Sequence, residues 1–553
     1  MQLDPNTVSH NRNKGETLVW LSASGLGLAL LMVLFLLGLI LVEGVQVFWP
    51  RDLVLLELQP ETDSLAGQRP FLAGSIVEKP GNPGTGSGEW KLMVGNKDLY
   101  GTAYRFVPEQ AILGRRPAED LVVAERVEYG KAIFFPLHLI TPSGERIEAG
   151  DPHFWKDFKA SIDDVRSRFL AIQDLERYRI GALNRKIHSL ERTRRHLLRQ
   201  QRDGIEVDPR HLEDIEISRD ALEEQFQELA AEVTRLRREQ EAGSIHYRLA
   251  SGQEQTQPLG NLLDVYRPNR MNVFQKGAFF LERIRIFLTG TPREANTEGG
   301  IFPAIFGTFV MTVLMSAAVM PFGVLAAIYL REYARQGLFV KFVRIGVNNL
   351  AGVPSIVYGV FGLGFFVYFL GGTIDQLFFS RDLPNATFGG GGILWASLTL
   401  ALMTVPVVIV ATEEALASVP RGSREASLAS GASRWQTIER IVLPAAAPGI
   451  LTGLILAMAR GAGEVAPLML VGVVKLAPDL PLDATFPFIH LERKFMHLGF
   501  HIYDLGFQSP DSESARPMVF ATTLLLILLV IVLNLGAILL RNHLRAKYKT
   551  STF

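Results

Sequence analysis

The sequence has no cysteine among its 553 residues, which excludes disulfide bonds, cysteine-ligated metal sites and thiol catalysis. It also has no G-x-x-x-x-G-K-[ST] segment, so any ATP that drives its work is hydrolysed by another chain. Its formal net charge is zero, which gives no bulk attraction for nucleic acid or another polyanion. Its histidines are scattered singly and suggest no metal site. The informative feature is instead the distribution of the apolar residues, which make up 48% of the chain.

Six apolar runs are long enough to cross a bilayer, which requires about 20 residues each. The first is a charge-free run from Leu18 to Val42, too long for the core of a signal peptide. No small-residue cleavage site follows it, so we expect a retained transmembrane helix. The other five spans are predicted at about 302–330, 342–371, 393–412, 449–474 and 518–540.

Basic residues indicate which ends of these spans face the cytoplasm. They precede the first span, follow the sixth, and fill the loops between spans two and three and between spans four and five. The loop between spans three and four carries only Arg381, beside two acidic residues. The positive-inside rule then places both termini in the cytoplasm and residues 43–299 outside. The basic residues concerned are Arg12, Lys14, Arg331, Arg335, Lys341, Arg344, Arg421, Arg424, Arg434, Arg440, Arg541, Arg545, Lys547 and Lys549.

The external segment 43–299 has strand-like runs bounded by turn residues in its first part. Examples are residues 90–94 and 132–140, with a Gly-rich flexible loop at 81–88. A further run at 245–249 predicts a returning strand close to the end of the segment. We therefore expect a small β-containing domain outside the membrane.

The middle of this segment has a helical period instead. Apolar residues step by three and four from Leu183 to Leu197, and again from Leu222 to Leu236. The turn signal Asp203-Gly204 and the helix-start signal Asp208-Pro209 separate the two stretches. These patterns predict an antiparallel coiled-coil hairpin, about 160–202 and 210–241, inserted into the β-containing domain.

The loop between spans four and five, residues 413–447, carries the most specific motif of the chain. It contains the pattern E-A-x-x-x-x-G-(x)9-I-x-L-P, with anchors Glu425, Ala426, Gly431, Ile441, Leu443 and Pro444. On these residues it resembles the EAA loop of ABC-importer permeases, the segment that docks on a separate ATPase. Only the third letter of the EAA pattern departs, where Ser427 replaces alanine.

The local sequence predicts how this loop is built. We expect a short helix over about 423–429, a left-handed turn at Gly431, and a second helix running to Leu443. Pro444 and Pro448 are expected to stop that helix and redirect the chain into span five. The alternative is an ordinary amphipathic loop helix on the membrane surface.

Two charged residues lie inside the fifth predicted span. Arg460 and Glu464 are four residues apart, so on one helix they share a face, and Arg460 falls near mid-bilayer. An unpaired charge there costs at least about 2.5 kcal/mol, so such residues face a bundle interior and often mark a substrate pathway. Arginine binds oxyanions through its planar fork, and Glu464 can neutralise it between transport events. A purely structural ion pair between helices is the alternative.

A polar stretch opens the third predicted span. Asn348 and Asn349 precede Pro354, which can kink the helix. The two amides can line a polar path, or they can hydrogen-bond to a neighbouring helix. Both interpretations stay open from the sequence.

From Gly299 to the C-terminus the chain carries several specific blocks besides the loop 413–447. They are 299–303 (GGIFP), 327–334 (AIYLREYA), 350–362 (LAGVPSIVYGVFG) and 457–469 (AMARGAGEVAPLM). In these blocks and the EAA loop the chain resembles the PstA-type permease subunit of bacterial phosphate ABC importers. The resemblance covers less than half of the chain, and the long external insertion departs from the usual pattern. Val465 also departs, since threonine is common there in the family.

The resemblance implies import of inorganic phosphate, with no enzyme activity and no cofactor in this chain. ATP and magnesium would bind a PstB-type ATPase dimer, a PstC-type permease would complete the pore, and a PstS-type periplasmic protein would deliver phosphate. It implies a substrate pathway at Arg460 and Glu464, with ATPase coupling through the EAA anchors. Another oxyanion such as molybdate, sulfate or phosphonate is one alternative, and a signalling or scaffold membrane protein that uses the coiled coil is another.

The expected fold is an α-helical polytopic protein of the bacterial inner membrane, with six transmembrane helices of the ABC-importer permease type. A large periplasmic domain is expected between helices one and two. Besides its protein partners, the chain is expected to contact membrane lipid. The expected boundaries are a tail at 1–17, the first helix at 18–42, the periplasmic domain at 43–299, the permease core at 300–541 and a second tail at 542–553.

Overall fold

The computed structural model describes residues 6–59, 71–79, 88–202, 204–380, 383, 385–483, 486 and 488–549. The Gly-rich loop predicted at 81–88 lies outside this part of the chain except for Gly88. A helical membrane bundle carries one domain, here called the inserted domain, between its first and second spans. The side of the bundle next to that domain is called the domain side, and the opposite side the coupling side.

The described helices, in chain order, fall into those of the inserted domain and those of the bundle. Many bundle helices continue into a neighbour through a wide π-type turn, so several spans consist of two labelled helices. The helices are α1 (Asn6–Gln46), α2 (Lys97–Tyr100), α3 (Phe154–Asp174), α4 (Gly181–Arg202), α5 (Pro209–Glu241), α6 (Val273–Thr289), α7 (Phe302–Ile328), α8 (Leu338–Leu350), α9 (Ser355–Phe361), α10 (Gly372–Phe378), α11 (Ile393–Ala417), α12 (Arg421–Ala429), α13 (Arg434–Thr437), α14 (Leu443–Gly463), α15 (Ala466–Val471), α16 (Leu498–Tyr503) and α17 (Ser512–Lys549).

Six helices of the described chain are long and apolar enough to cross a membrane, in agreement with the predicted number. Four of them coincide with predicted spans apart from their ends, while the third and fifth differ. The six run Val19–Gln46, Phe302–Tyr333, Ser355–Phe378, Ile393–Ala417, Arg434–Gly463 and Ser512–Ala546.

The third span begins later than predicted. Residues from 342 onward belong instead to α8, a separate helix that packs Val340, Val343 and Val347 against the bundle. Pro354 then precedes α9 as its N-cap and has an extended backbone. A helix does not continue from α8 into α9, because Pro354 lacks the N–H that a continuous helix needs and disfavours the helical region for the residue before it. Pro354 therefore separates two helices and does not kink one.

Small residues let α7, α11 and α14 approach closely at the centre of the bundle. A Cβ added to Gly453 would lie 2.5 Å from the Cβ of Ala411, and one added to Gly323 would lie 2.6 Å from a methyl of Val408. Glycine is therefore required at both contacts, as is common where membrane helices cross. This tight centre holds the elements of the candidate site in fixed positions.

The inserted domain contains two antiparallel sheets and a short two-stranded ribbon. Its strands are β1 (Leu53–Leu58), β2 (Phe71–Glu78), β3 (Glu89–Met93), β4 (Tyr104–Pro108), β5 (Ile112–Pro117), β6 (Val122–Arg126), β7 (Lys131–Ile140), β8 (Arg146–Glu148), β9 (Ser244–Arg248), β10 (Glu254–Pro258), β11 (Leu262–Tyr266), β12 (Pro292–Arg293) and β13 (Glu298–Gly299). The first sheet has the order β4-β3-β2-β1-β5, and the second has the order β10-β9-β7-β6-β11 with β8 beside β7. The strands predicted at 90–94, 132–140 and 245–249 coincide with β3, β7 and β9.

Helices α3, α4 and α5 form a hairpin inserted between β8 and β9, which lie on either side of β7. Ion pairs across the hairpin join Arg237 to Glu176 (2.6 Å) and Arg194 to Glu216 (3.4 Å). Later residues on one arm thus face earlier residues on the other, so the arms are antiparallel. The prediction placed the hairpin start at 160, but α3 begins at Phe154, which is buried against the second sheet.

Arg283 ties α6 to the second sheet. Its guanidinium pairs with Glu125 on β6 and, at 2.8 Å, with Asp264 on β11. Burial by itself raises the pKa of Glu125, but the charges of Arg283 and Lys131 and the Arg283 hydrogen bond outweigh it and lower the pKa from 4.5 to about 2. The pair therefore stabilises the fold above pH 4.5, and this contribution is lost as the pH falls towards 2.

We expect Arg283→Met to lower the free energy of unfolding by about 3–5 kcal/mol, because it leaves Glu125 buried without its main partner. Thermal unfolding of the purified full chain at pH 7 measures the loss. Arg285→Met is the matched control, since Arg285 pairs with Glu282 at an exposed position on the same helix, where solvent screens the pair and its contribution to stability is small. Equal losses in the two variants would contradict this account.

Candidate functional site: a broken membrane helix and a coupling loop

The fifth membrane helix breaks at Glu464. Helix α14 ends at Gly463, Glu464 has an extended backbone (φ −77°, ψ 137°), and α15 begins at Ala466. The prediction of one continuous helix through 474 is therefore wrong. Pro467 explains the break, because its ring in a continuous helix would collide with the carbonyl of Gly463, four residues earlier.

The break lies near the middle of the bundle. Gly461 packs on Met315, close to the centre of the second span, where an added Cβ would lie 2.3 Å from the Met315 sulfur. Beyond the break, Pro467 packs on Gly359 of α9, with an added Cβ 2.7 Å away. Irregular backbone at membrane depth is tolerated only where it is buried in protein or lines a water-filled path.

Arg460 and Glu464 meet at this break. The Arg460 Nε lies 3.8 Å from the Glu464 Oε1, which is an ion pair but too long for a hydrogen bond. The Arg460 side chain is about a third exposed (34%) and that of Glu464 less so (23%). The two residues are thus brought together as predicted, although Glu464 lies outside the helix. The guanidinium keeps donors that a ligand can use.

Tyr358 connects this pair to the polar stretch before span three. Its side chain lies near Arg460, and its hydroxyl donates to the carbonyl of Leu350 at 2.7 Å. Asn348 and Asn349 directly precede Leu350 and are exposed at the end of α8. Their amides are therefore outside span three, close to residues that approach the Arg460 pair.

The EAA loop folds into two helices joined by a turn. Helix α12 is followed by Gly431, which has φ 87° and so a backbone conformation that glycine favours. Ser433 and Gln436 then form a capping box at the start of α13. The Ser427 and Thr437 hydroxyls, 3.0 Å apart, join the two helices. The predicted helix, turn and second helix are all present.

One expectation about this loop is wrong. The second helix does not stop at Pro444 or Pro448 but continues from Arg434 to Gly463 as one membrane helix. A wide π turn at Ile438–Val442 precedes Pro444, and it relieves the carbonyl clash that a proline ring normally causes inside a helix. The coupling loop therefore connects to the break at Glu464 through uninterrupted helix.

Comparison with known proteins places this arrangement in a family. Residues 319–550 match the family described as "Binding-protein-dependent transport system inner membrane component". The chain is 34% identical over 197 residues (35% of this chain) to the probable ABC transporter permease protein YqgH of Bacillus subtilis (strain 168), of which it spans 60%, less than two thirds. It is 32% identical over 259 residues to the probable ABC transporter permease protein YqgI of the same strain, covering 45% of this chain and 81% of YqgI.

A further relative decides the subfamily. The chain is 33% identical over 255 residues to the phosphate transport system permease protein PstA of Yersinia pestis, covering 46% of this chain and 76% of that protein. The chain belongs to the PstA-type permease family.

In this PstA-type permease, two ion pairs that the sequence analysis did not single out tie the coupling loop to the bundle. Arg424 of α12 pairs with Glu332 at the end of span two (2.8 Å). Arg344 of α8 pairs with Glu413 at the end of span four (3.1 Å). In the sequence, these residues are recognisable only as charges at the ends of the spans, and the two arginines are among the basic residues that indicate the cytoplasmic side. The first pair therefore ties α12 to span two, and the second ties α8 to span four.

The exposed side of the PstA-type coupling loop offers a surface for a partner. Glu425, Ala426 and Gly431 are exposed, whereas Ile441, Leu443 and Pro444 are half-buried where the helix enters the bundle. The anchors thus divide into a surface set and a connecting set. Large apolar side chains are also exposed on the loop, with Leu428 at 49% and Trp435 at 47%.

Proposed function

We propose that this chain is the transmembrane permease subunit of an ABC importer that carries inorganic phosphate into the cell. The observation that carries the proposal is Arg460, a half-buried arginine at a mid-bundle helix break whose only ion-pair partner in the described chain is Glu464. Discontinuous membrane helices commonly form the substrate sites of transporters. The printed names of several relatives, including PstA of Yersinia pestis, support phosphate as the cargo.

Arg460 would bind the tetrahedral anion through its guanidinium fork in one state of the transport cycle. Its 3.8 Å separation from Glu464 is loose enough for an anion oxygen to replace the carboxylate. When the cargo leaves, Glu464 would again neutralise Arg460, which avoids an uncompensated charge inside the bilayer. Tyr358, near Arg460, would supply a further polar contact along the path, and Asn348 and Asn349 would line its exposed end.

The coupling loop would bind the partner ATPase, which binds ATP and magnesium. Closure of a PstB-type ATPase dimer would move α12, and the Arg424–Glu332 pair would transmit that movement to span two. A PstC-type permease would complete the pore, and a PstS-type binding protein would deliver phosphate from the domain side.

This function requires a defined orientation in the inner membrane. The coupling loop and both termini would be cytoplasmic, and the inserted domain periplasmic. The basic residues at the coupling-side span ends support this arrangement, because positive charge is retained on the cytoplasmic side.

ATP hydrolysis by the reconstituted complex tests this proposal. We expect the complex of this chain with the ATPase and the second permease to hydrolyse ATP faster when phosphate-loaded binding protein is added. Phosphate-free binding protein and an ATPase-inactive complex are the controls. A complex that assembles but shows no response to loaded binding protein would contradict the assignment.

A further inference from the structure

The two arms of the hairpin carry opposite charge. Helix α4 contains seven Lys and Arg residues against one acidic residue, Glu191. Helix α5 contains ten Asp and Glu residues against five Lys and Arg residues. A helical hairpin that serves only as a spacer does not need opposite charges on its two arms. The difference indicates that the two arms face different surroundings.

The charges on α4 are also concentrated on one face. Arg185, Arg192 and Arg199 are seven residues apart, so they drift by only about 20° per step and form a line along the helix. Leu190 and Leu197, which are half-buried, belong to the seam towards α5 on the opposite side. We call the line and its flanking residues the basic face of α4; it consists of Arg185, His188, Arg192, Arg195, Arg199 and Arg202.

This face overhangs the domain-side loops of the bundle. The Arg185 Nη1 donates to Asp479, in the loop between spans five and six, at 3.4 Å. The Arg199 Nη2 donates to the carbonyl of Leu383, in the loop between spans three and four, at 3.3 Å. The two anchors are about 21 Å apart along the helix at 1.5 Å per residue. Helix α4 thus crosses above both loops next to the external end of the transport path.

The remainder of the basic face stays accessible. Arg192, Arg195 and Arg202 are exposed, and so is His188, whose side chain is 71% exposed. A protein that passes cargo to the bundle must contact the loops beneath α4, and it then touches this face as well. Its contacting surface must be acidic, because arginines at this density repel a basic one. The acidic arm α5 would repel the same surface, so the approach is confined to the α4 side.

We propose that the basic face of α4 is a docking surface for an acidic patch on the periplasmic substrate-binding protein. This inference rests on the proposed function, since it requires a delivering protein on the domain side. Exposed interfacial charges of this kind mainly set association rate and orientation, and their effect weakens with salt. The inserted domain would then act as a guide for the loaded binding protein.

The test neutralises three exposed arginines and leaves both anchors in place. The variant is Arg192→Gln/Arg195→Gln/Arg202→Gln, in the complex with the ATPase and the second permease. The matched control is Arg210→Gln/Arg235→Gln/Arg238→Gln, which removes the same charge from exposed positions on α5. A third variant, Arg192→Lys/Arg195→Lys/Arg202→Lys, keeps the charge. The readout is the concentration of phosphate-loaded binding protein that gives half-maximal stimulation of ATP hydrolysis.

We expect the α4 glutamine variant to need about tenfold more binding protein at low salt, since three exposed charge contacts are lost and each changes affinity roughly twofold. The maximal rate should not change, the difference should shrink in about 0.2 M salt, and the α5 and lysine variants should behave like the parent. Equal shifts in the α4 and α5 glutamine variants, or no shift, would overturn the proposal.

Two other outcomes would also overturn it in favour of different roles. Faster ATP hydrolysis without binding protein would make α4 a strap that restrains the bundle. Loss of binding to anionic lipid vesicles, with unchanged response to the binding protein, would make the face a membrane contact. If the unmodified complex does not respond to binding protein at all, the proposed function fails, and that result is distinct from a failure of α4 alone.

Discussion

Arg460→Ala is expected to abolish phosphate uptake while the chain still inserts in the membrane and still binds the ATPase. The guanidinium is the only described cation at the break, and two charge-assisted hydrogen bonds to an anion are worth roughly a hundredfold in transport rate. Labelled-phosphate uptake, with membrane content and ATPase co-purification measured in parallel, checks the result. Arg460→Lys should recover only part of the rate, because lysine keeps the charge but not the planar fork.

Arg541→Ala is the matched control for this experiment. Arg541 also contacts the fifth-span helix, donating to the exposed Thr452 hydroxyl at 3.3 Å, but it lies half-buried near the end of span six, away from the break. Its removal should leave uptake close to that of the parent. Normal uptake by Arg460→Ala would show that the arginine is only a structural partner of Glu464, the alternative that its spacing left open.

Gly431→Leu is expected to reduce ATPase co-purification by about tenfold or more. At φ 87° a leucine is strained by roughly 1–3 kcal/mol, so the turn between α12 and α13 shifts and the exposed anchors lose their relative positions. No atom lies within 4 Å of a Cβ at this position, so the effect comes from the backbone and not from a collision. Quantitative pull-down of the ATPase by the tagged permease measures it.

Gly422→Leu is the control for that substitution. Gly422 lies in α12 of the same loop, also with no atom within 4 Å of a Cβ, but its backbone is helical and accepts leucine. Gly431→Asn should retain most of the docking, since asparagine tolerates the left-handed conformation. Co-purification of the Gly431→Leu chain at the parental yield would count against the loop as the docking element.

Most of the structure of the coupling loop could be predicted from the sequence, because each of its helices and its turn has a local sequence signal. Gly431 signals a left-handed turn, and the spacing of the anchors predicts the two helices around it. The continuation of the second helix through Pro444 and Pro448 could not be predicted in the same way. At Pro444 it depends on the wide turn at Ile438–Val442, which relieves the proline clash and leaves no pattern of residue types. The tolerance of Pro448 inside the regular helix has no structural explanation here.

In the candidate site, too, one feature could be predicted from local sequence and another could not. The spacing of Arg460 and Glu464 predicted that they meet, and they do, but the predicted shared helix is interrupted at Glu464. The break depends on Pro467 together with its tight packing on Gly359. The span was predicted from the length of the apolar run, which reveals neither of these features. Likewise Phe154 begins the hairpin early because it is buried by a sheet that is distant in sequence. Local periodicity cannot reveal such contacts.

Labelled-phosphate uptake, measured in a phosphate-starved strain that lacks its own permease and is complemented with this chain, tests the central claim most directly. Sulfate and molybdate in excess serve as competitors. We predict that uptake is restored, that neither competitor reduces it, and that Arg460→Ala removes it. Competition by sulfate or molybdate, or failure to restore uptake although this chain, the ATPase and the second permease assemble in the membrane, would contradict phosphate as the cargo.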